Sequence, residues 1–303
     1  MCGFSRLIER RDQRYTLRAD LLRRPDMKWM EFAQPYVFVR EENRIKSPGQ
    51  TFQLDWFPQA PIYKNPLLMS NLSFADQIMR LENKAFAATN MAMPRWVFYD
   101  CAVIPGFVAG FALPKDKAPQ AILDICQPSA EDDFVPVSLF IIIPTMGEKE
   151  WVAHNLCSVN SLLPSEQRYY GLGFLSKAFG LWYANVEICS GITQWGSPSV
   201  RLHTHYGDFE VLTAYTPVHS NPQTLTYRLK SDPEEWERFF TGEAQLDFKD
   251  RYSYCGFNVD PKDVKSLISF QSRIEKGEGP FFLDAGEIRT SALDASLKVY
   301  RPT

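Results

Sequence analysis

Pro164-Ser-Glu-Gln-Arg168-Tyr-Tyr-Gly171-Leu-Gly173-Phe-Leu-Ser-Lys177-Ala-Phe179 is the stretch on which the fold turns. An apolar, strand-like segment leads into it. Phe174, Leu175, Ala178, Phe179 and Trp182 then recur at three- and four-residue spacing, as one face of a helix requires. Gly171 and Gly173 stand between the two. Glycine lets a turn adopt left-handed backbone, and at a helix start the backbone N–H groups can converge on an anion. The same glycines also suit a plain strand-to-helix connection, so the surrounding chain has to decide.

Downstream, residues 191–195 read as a short strand, and Ser197-Pro198 as an N-cap with proline at the first helical position. Residues 209–215 and 224–229 alternate as an antiparallel pair would. Helices are expected over 233–240 and 261–276, then a glycine-rich turn at 276–280 and a final β-like segment. Upstream, residues 151–159 form a strand, and 134–143 form a buried strand by their β-branched run. A short helix is expected at 117–126. Strands at 96–99 and 107–113 flank a Pro105-Gly106 turn. Residues 73–88 read as a helix capped by Ser73, with Phe74, Ile78, Leu81, Ala85 and Phe86 on one face. Short strands at 36–39 and 52–57 are separated by a Ser-Pro-Gly turn at 47–49, and Pro58, Pro61 and Pro66 mark a loop. Residues 1–35 are dense in arginine interleaved with Glu9, Asp12 and Asp20, the pattern of a solvated helix face. Mixed strands and helices place the chain in the α+β class, with a mostly antiparallel central sheet and flanking helices.

At 303 residues the chain is long for one domain, and 45% hydrophobic with 23% charged residues is an ordinary globular composition. A net charge of −3 gives no hint of a nucleic-acid partner, and none is expected. The six cysteines, at 2, 101, 126, 157, 189 and 255, contain no C-x-x-C pair, so neither a zinc framework nor a disulfide scaffold is expected. The longest apolar run, residues 134–144, is too short to span a bilayer, and the first residues carry no apolar signal core. The expectation is a cytoplasmic protein with reduced thiols and no membrane partner.

The order of elements resembles the GNAT superfamily of acyl-CoA N-acyltransferases. Ile78-x-x-Leu81-Glu82-x-x-Ala85-Phe86 is similar to that fold's first helix, and residues 107–112 to an early strand. Arg168-x-x-Gly171-x-Gly173 matches the family's pyrophosphate loop, R/Q-x-x-G-x-G/A. Residues 196–209 match the spacing of its fourth helix, N-x-x-A-x-x-L-Y-x-x-x-G-F. The resemblance implies a co-substrate, acetyl-CoA or another acyl-CoA, held by Arg168, Tyr169, Tyr170, Gly171, Leu172 and Gly173. It implies transfer by direct attack of an amine, on a small molecule or a peptide. The thiolate's proton donor, a tyrosine in the family's fourth helix, aligns with His203, and Tyr206 lies one turn on. Three features depart from the pattern: a longer loop from Pro164 to Arg168, Asp208 inside the Gly-Phe pair, and an inserted segment at 114–133. The expected organisation is an N-terminal extension with short strands (1–70), an acyltransferase-like core (71–231) and a C-terminal helical and β addition packed on it (232–303). A homodimer is left open.

Three other readings stand beside this one. Residues 107–180 also resemble acetoacetate decarboxylase-like proteins, in which Lys177 would be the Schiff-base residue; a lone lysine on a helix is otherwise expected on the solvated surface. If 200–206 is a strand, His203 and His205 share a face and, with Glu210, resemble the first metal motif of a cupin. If it is helical, they diverge and the metal reading fails. The last reading is a non-catalytic binding module whose aromatic residues make core and interface.

Overall fold

The computed structural model describes residues 25–47, 50, 60–89, 91–231 and 248–303. The arginine-dense stretch up to residue 24, the strand expected at 52–57 and the helix expected at 233–240 lie outside the described residues. The chain divides into two compact units, Met1–Pro144 with His154–Asn185, and Thr145–Ala153 with Val186–Thr303.

In the first unit, β1 (Gln34–Phe38) runs parallel to β2 (Ile62–Lys64) and antiparallel to β3 (Phe107–Pro114). Helix α1 (Leu72–Phe86) buries Phe74, Ile78 and Leu81 as the spacing requires. Ser73 does not cap it. Asn71 occupies the cap position, and the Ser73 hydroxyl donates instead to Asp132 Oδ2 at 2.5 Å. Residues 96–99 are not a strand either. Arg95–Val97 is a helical turn that continues as a π-helix over Phe98–Val103, with Ile104 N–H donating to Tyr99 O at 3.0 Å. The run is rich in aromatic and β-branched residues, but Phe98, Ala102 and Val103 are its buried positions, which is helical rather than alternating spacing.

The inserted segment forms a helix, α2 (Gln120–Cys126), yet its flanking strands still pair. β3 lies antiparallel to both β4 (Phe134–Pro136) and β5 (Ser138–Pro144). The single strand expected at 134–143 is therefore broken. Ala112 faces Pro136 while Ala109 faces Phe140, so one extra residue enters the second strand. Proline supplies no amide hydrogen to a ladder and is commonly found at such bulges. Here Val137 N–H donates to Phe111 O at 2.8 Å, and Phe111 N–H donates to the Ser138 hydroxyl at 3.0 Å.

Helix α3 (Leu172–Tyr183) packs on β3 and β5. Gly180 permits this approach, because a Cβ there would lie 2.5 Å from Phe140 Cδ1. The sequence pattern suggests one apolar face, but every residue of α3 except Gly173 is buried. A helix covered all round gains about 1.5–3 kcal/mol from each large apolar side chain it hides, which firmly seats the turn at its start.

β6 (Glu150–Ser158) runs from the second unit into the first. In the second unit its residues Glu150 to Ala153 pair in parallel with Ile188 to Gly191 of β7 (Ile188–Gln194). A parallel pair needs a long crossover connection, and the glycine turn with α3 supplies it. α4 (Pro198–His203), β8 (Phe209–Thr213), β9 (Thr224–Lys230), β10 (Tyr252–Val259), α5 (Val264–Glu275), β11 (Phe281–Leu283), α6 (Ala285–Thr290) and β12 (Leu297–Pro302) follow. The strand order here is β10-β12-β11-β8-β9-β7-β6, antiparallel except for the last pair. The chain is thus an α+β protein of mixed, mostly antiparallel pairing. The C-terminal β-like segment is two strands separated by α6, which Asp284 caps through Gly286 N–H at 2.7 Å.

Candidate functional site

A short 3-10 turn, Ser165–Gln167, follows Pro164 and delivers Arg168 in extended backbone. Gly171 then takes φ 70° and ψ −1°, left-handed geometry that costs other residues about 1–2 kcal/mol. It occupies the N-cap position of α3, and no side chain caps the helix. The first turn of a helix offers N–H groups that its own carbonyls cannot satisfy. Leu172 N–H turns back to Tyr169 O at 3.3 Å, while Gly171 O accepts from Leu175 N–H at 2.8 Å.

Three side chains hold the turn, two of them from outside it. Asn160 grips Tyr169 at both backbone groups, accepting from its N–H at 2.8 Å and donating to its carbonyl at 2.7 Å. Trp29, only 2% exposed, donates its indole N–H to Tyr170 O at 3.2 Å. Arg168 Nε donates to Leu163 O at 3.1 Å, closing the base of the loop with its own side chain. Burial raises the pKa of the Tyr169 hydroxyl, which therefore stays protonated at neutral pH. The sequence reading named Arg168 through Gly173 and missed Asn160 and Trp29. An asparagine nine residues upstream and a tryptophan 141 residues away carry no signal that links them to the turn.

The second group of candidates lies in the other unit, around α4. Ser197 Oγ accepts from Ser199 N–H at 3.2 Å, Pro198 opens the helix, and His203 is its last residue. Residues 198–203 are therefore helical, and the two histidines go to different partners. His203, 5% exposed, stacks on Tyr227 with ring centroids 4.6 Å apart. His205 lies 2.9 Å from Arg289 through Nδ1. Burial and then the Arg289 charge hold its pKa down to about 3, so it is neutral across the physiological range. Glu210 binds Arg228 through both oxygens, at 2.8 and 2.9 Å. The cupin-like metal set does not form, and among the described residues no group of three or more His, Cys, Asp or Glu could hold a metal ion. Tyr206 is fully buried. Asp208, which interrupts the expected Gly-Phe pair, accepts from Tyr252 OH at 2.7 Å and from Arg251 Nη2 at 2.9 Å.

Lys177 is not on the surface. It sits mid-helix in α3 at 0% exposure, out of contact with solvent. None of the five described cysteines is in a disulfide, and burial pushes the Cys126 thiol up to about 12. Among the described residues no helix is long and apolar enough to cross a membrane.

No protein-family model and no curated protein matches the chain. Solved structures similar to it include a proposed acyl-CoA N-acyltransferase from Klebsiella pneumoniae, at 13% identity and a TM-score of 0.32. That alignment covers 54% of this chain and 92% of the other. A proposed acetyltransferase of the GNAT family from Desulfovibrio desulfuricans aligns with the same identity and TM-score, over 54% and 94% of the two chains. Nourseothricin acetyltransferase aligns at 8% identity and a TM-score of 0.28, over 42% of this chain and 64% of its own. Likeness at this level leaves the chemistry to be argued from the chain's own residues.

Proposed function

We propose that the chain transfers an acyl group from acyl-CoA to an amine on a small molecule or peptide. One observation carries the reading: an uncapped helix start, opened by a left-handed Gly171 and braced by Asn160 and Trp29, with Arg168 three residues before it. Neither Gly171 nor Gly173 has a side chain to cover the backbone donors. A pyrophosphate suits such a place, since helix N-terminal N–H groups and an adjacent guanidinium both favour anions. Bracing matters because donors already in position need no reorganisation when the anion arrives.

In direct transfer, the lone pair of a neutral amine attacks the thioester carbonyl. A C–N bond forms, the C–S bond breaks, and the amine nitrogen gives up one proton while the departing thiolate takes one. His203 is the proposed donor of that proton, because a ring N–H can donate to a thiolate and the residue retains slight exposure where Tyr206 has none.

The reading predicts that CoA raises the melting temperature of the full chain in a thermal-shift titration. Arg168→Ala should weaken CoA binding about ten-fold, the loss of one charge-assisted contact. His203→Ala should lower thiol release from acetyl-CoA, assayed against a panel of amines, with CoA affinity unchanged. Absence of any shift at millimolar CoA overturns the acyltransferase reading.

A further inference from the structure

We infer that Tyr227 is a positioning residue that fixes the plane of the His203 ring. The inference rests on the proposed role of His203 as proton donor and extends it to a second residue. Tyr227 lies in β9 at 1% exposure, and its ring is packed between two others. His203 stacks on it at 4.6 Å with planes 30° apart, and Phe209 stacks on it at 5.0 Å with planes 24° apart. The tip of the phenol lies where a side chain at 191 would be. Tyr227 pairs with Gly191 across the β7–β9 ladder, and a Cβ on Gly191 would come 2.4 Å from Tyr227 Oη. Glycine at 191 therefore leaves the space that the hydroxyl occupies.

His203 is the residue that most needs such support. It is the last residue of α4, where the helix ends and the chain turns toward β8. A ring held face-on keeps the tilt of its plane, so its N–H bonds stay within the plane that the partner ring sets. Proton transfer depends steeply on their direction, and an error of about 1 Å costs on the order of a hundred-fold in rate. Stacking needs the aromatic face rather than the hydroxyl, which separates this role from catalysis by Tyr227 itself.

The test uses the full chain with acetyl-CoA and an accepted amine. Tyr227→Met leaves a smaller, flexible apolar side chain and removes the flat face, and should lower kcat about ten-fold with KM for acetyl-CoA unchanged. Tyr227→Phe should restore turnover. Gly191→Ala, which displaces the phenol without deleting a side chain, should act like Tyr227→Met. In a His203→Ala background, Tyr227→Met should add no further loss, as expected when one residue acts through the other. If His203→Ala leaves kcat intact, the role of His203 itself falls. If His203→Ala lowers kcat but Tyr227→Met adds an independent loss or has no effect, the positioning role alone falls. Should Tyr227→Met and Gly191→Ala fail to fold, the wild-type His203 ring-proton resonances decide: ring-current shifts from Tyr227 support the stack, and unshifted resonances overturn it.

Discussion

The turn at 168–173 and the segment at 197–206 both connect a strand to a helix, and they are built in opposite ways. The second is assembled from neighbours: Ser197 caps Ser199, and Pro198 sets the first helical position. The first has no side-chain cap and is held from a distance by Asn160 and Trp29. A locally built helix start has already used its donors on its own chain. One braced from outside has no side-chain cap on its first turn, the arrangement in which an anion can take the cap's place. The difference separates a structural helix start from a candidate binding one.

Asn160→Ala attacks that difference most directly. Losing both hydrogen bonds to Tyr169 should cost about 2–3 kcal/mol in urea unfolding and should weaken CoA binding by more than ten-fold. A variant that loses stability yet binds CoA normally would mean that the brace serves the fold alone. Gly171→Ala should cost about 1–2 kcal/mol, because alanine strains at φ 70°. Its measurement by thermal unfolding, with and without CoA, tells whether backbone strain alone disturbs the site. The smallest effect belongs to the other segment. Ser197→Ala should cost about 0.5–1 kcal/mol, the usual value of a cap, with CoA affinity unchanged. A matching loss of CoA affinity in Ser197→Ala would erase the contrast between the two segments.

What could be read from residues follows the same division. The antiparallel pair β8–β9, the cap at Ser197, the glycine turn and the helix after it were all legible, because each is written in adjacent residues. Residues 96–99 misled because strand-forming side chains also suit a π-helical stretch after a proline, where burial at Phe98, Ala102 and Val103 decides. Ser73 misled because Asp132, 59 residues away, competes for its hydroxyl. Lys177 misled because a lysine on a helix is ordinarily solvated, whereas α3 is covered on all sides. At the candidate sites, Arg168, Gly171, Gly173 and His203 could be named in advance. Asn160, Trp29, Tyr227 and Phe209 could not, since their roles exist only through contacts that cross strands or long loops.

By itself, the amino-acid order determined the α+β class, the position of the glycine turn and the helical period that follows it, all of which depend on backbone preference and the spacing of apolar residues. Tertiary structure alone decided which partners the two histidines meet, His203 going to Tyr227 and His205 to Arg289. It also decided that the glycine turn is braced rather than capped. The physical reason is the same in both cases. A cap fixes where a helix starts but not which distant rings meet its last residues, and a turn without a side-chain cap draws on partners elsewhere to hold its shape. Packing partners far along the chain supply what local preference leaves undecided.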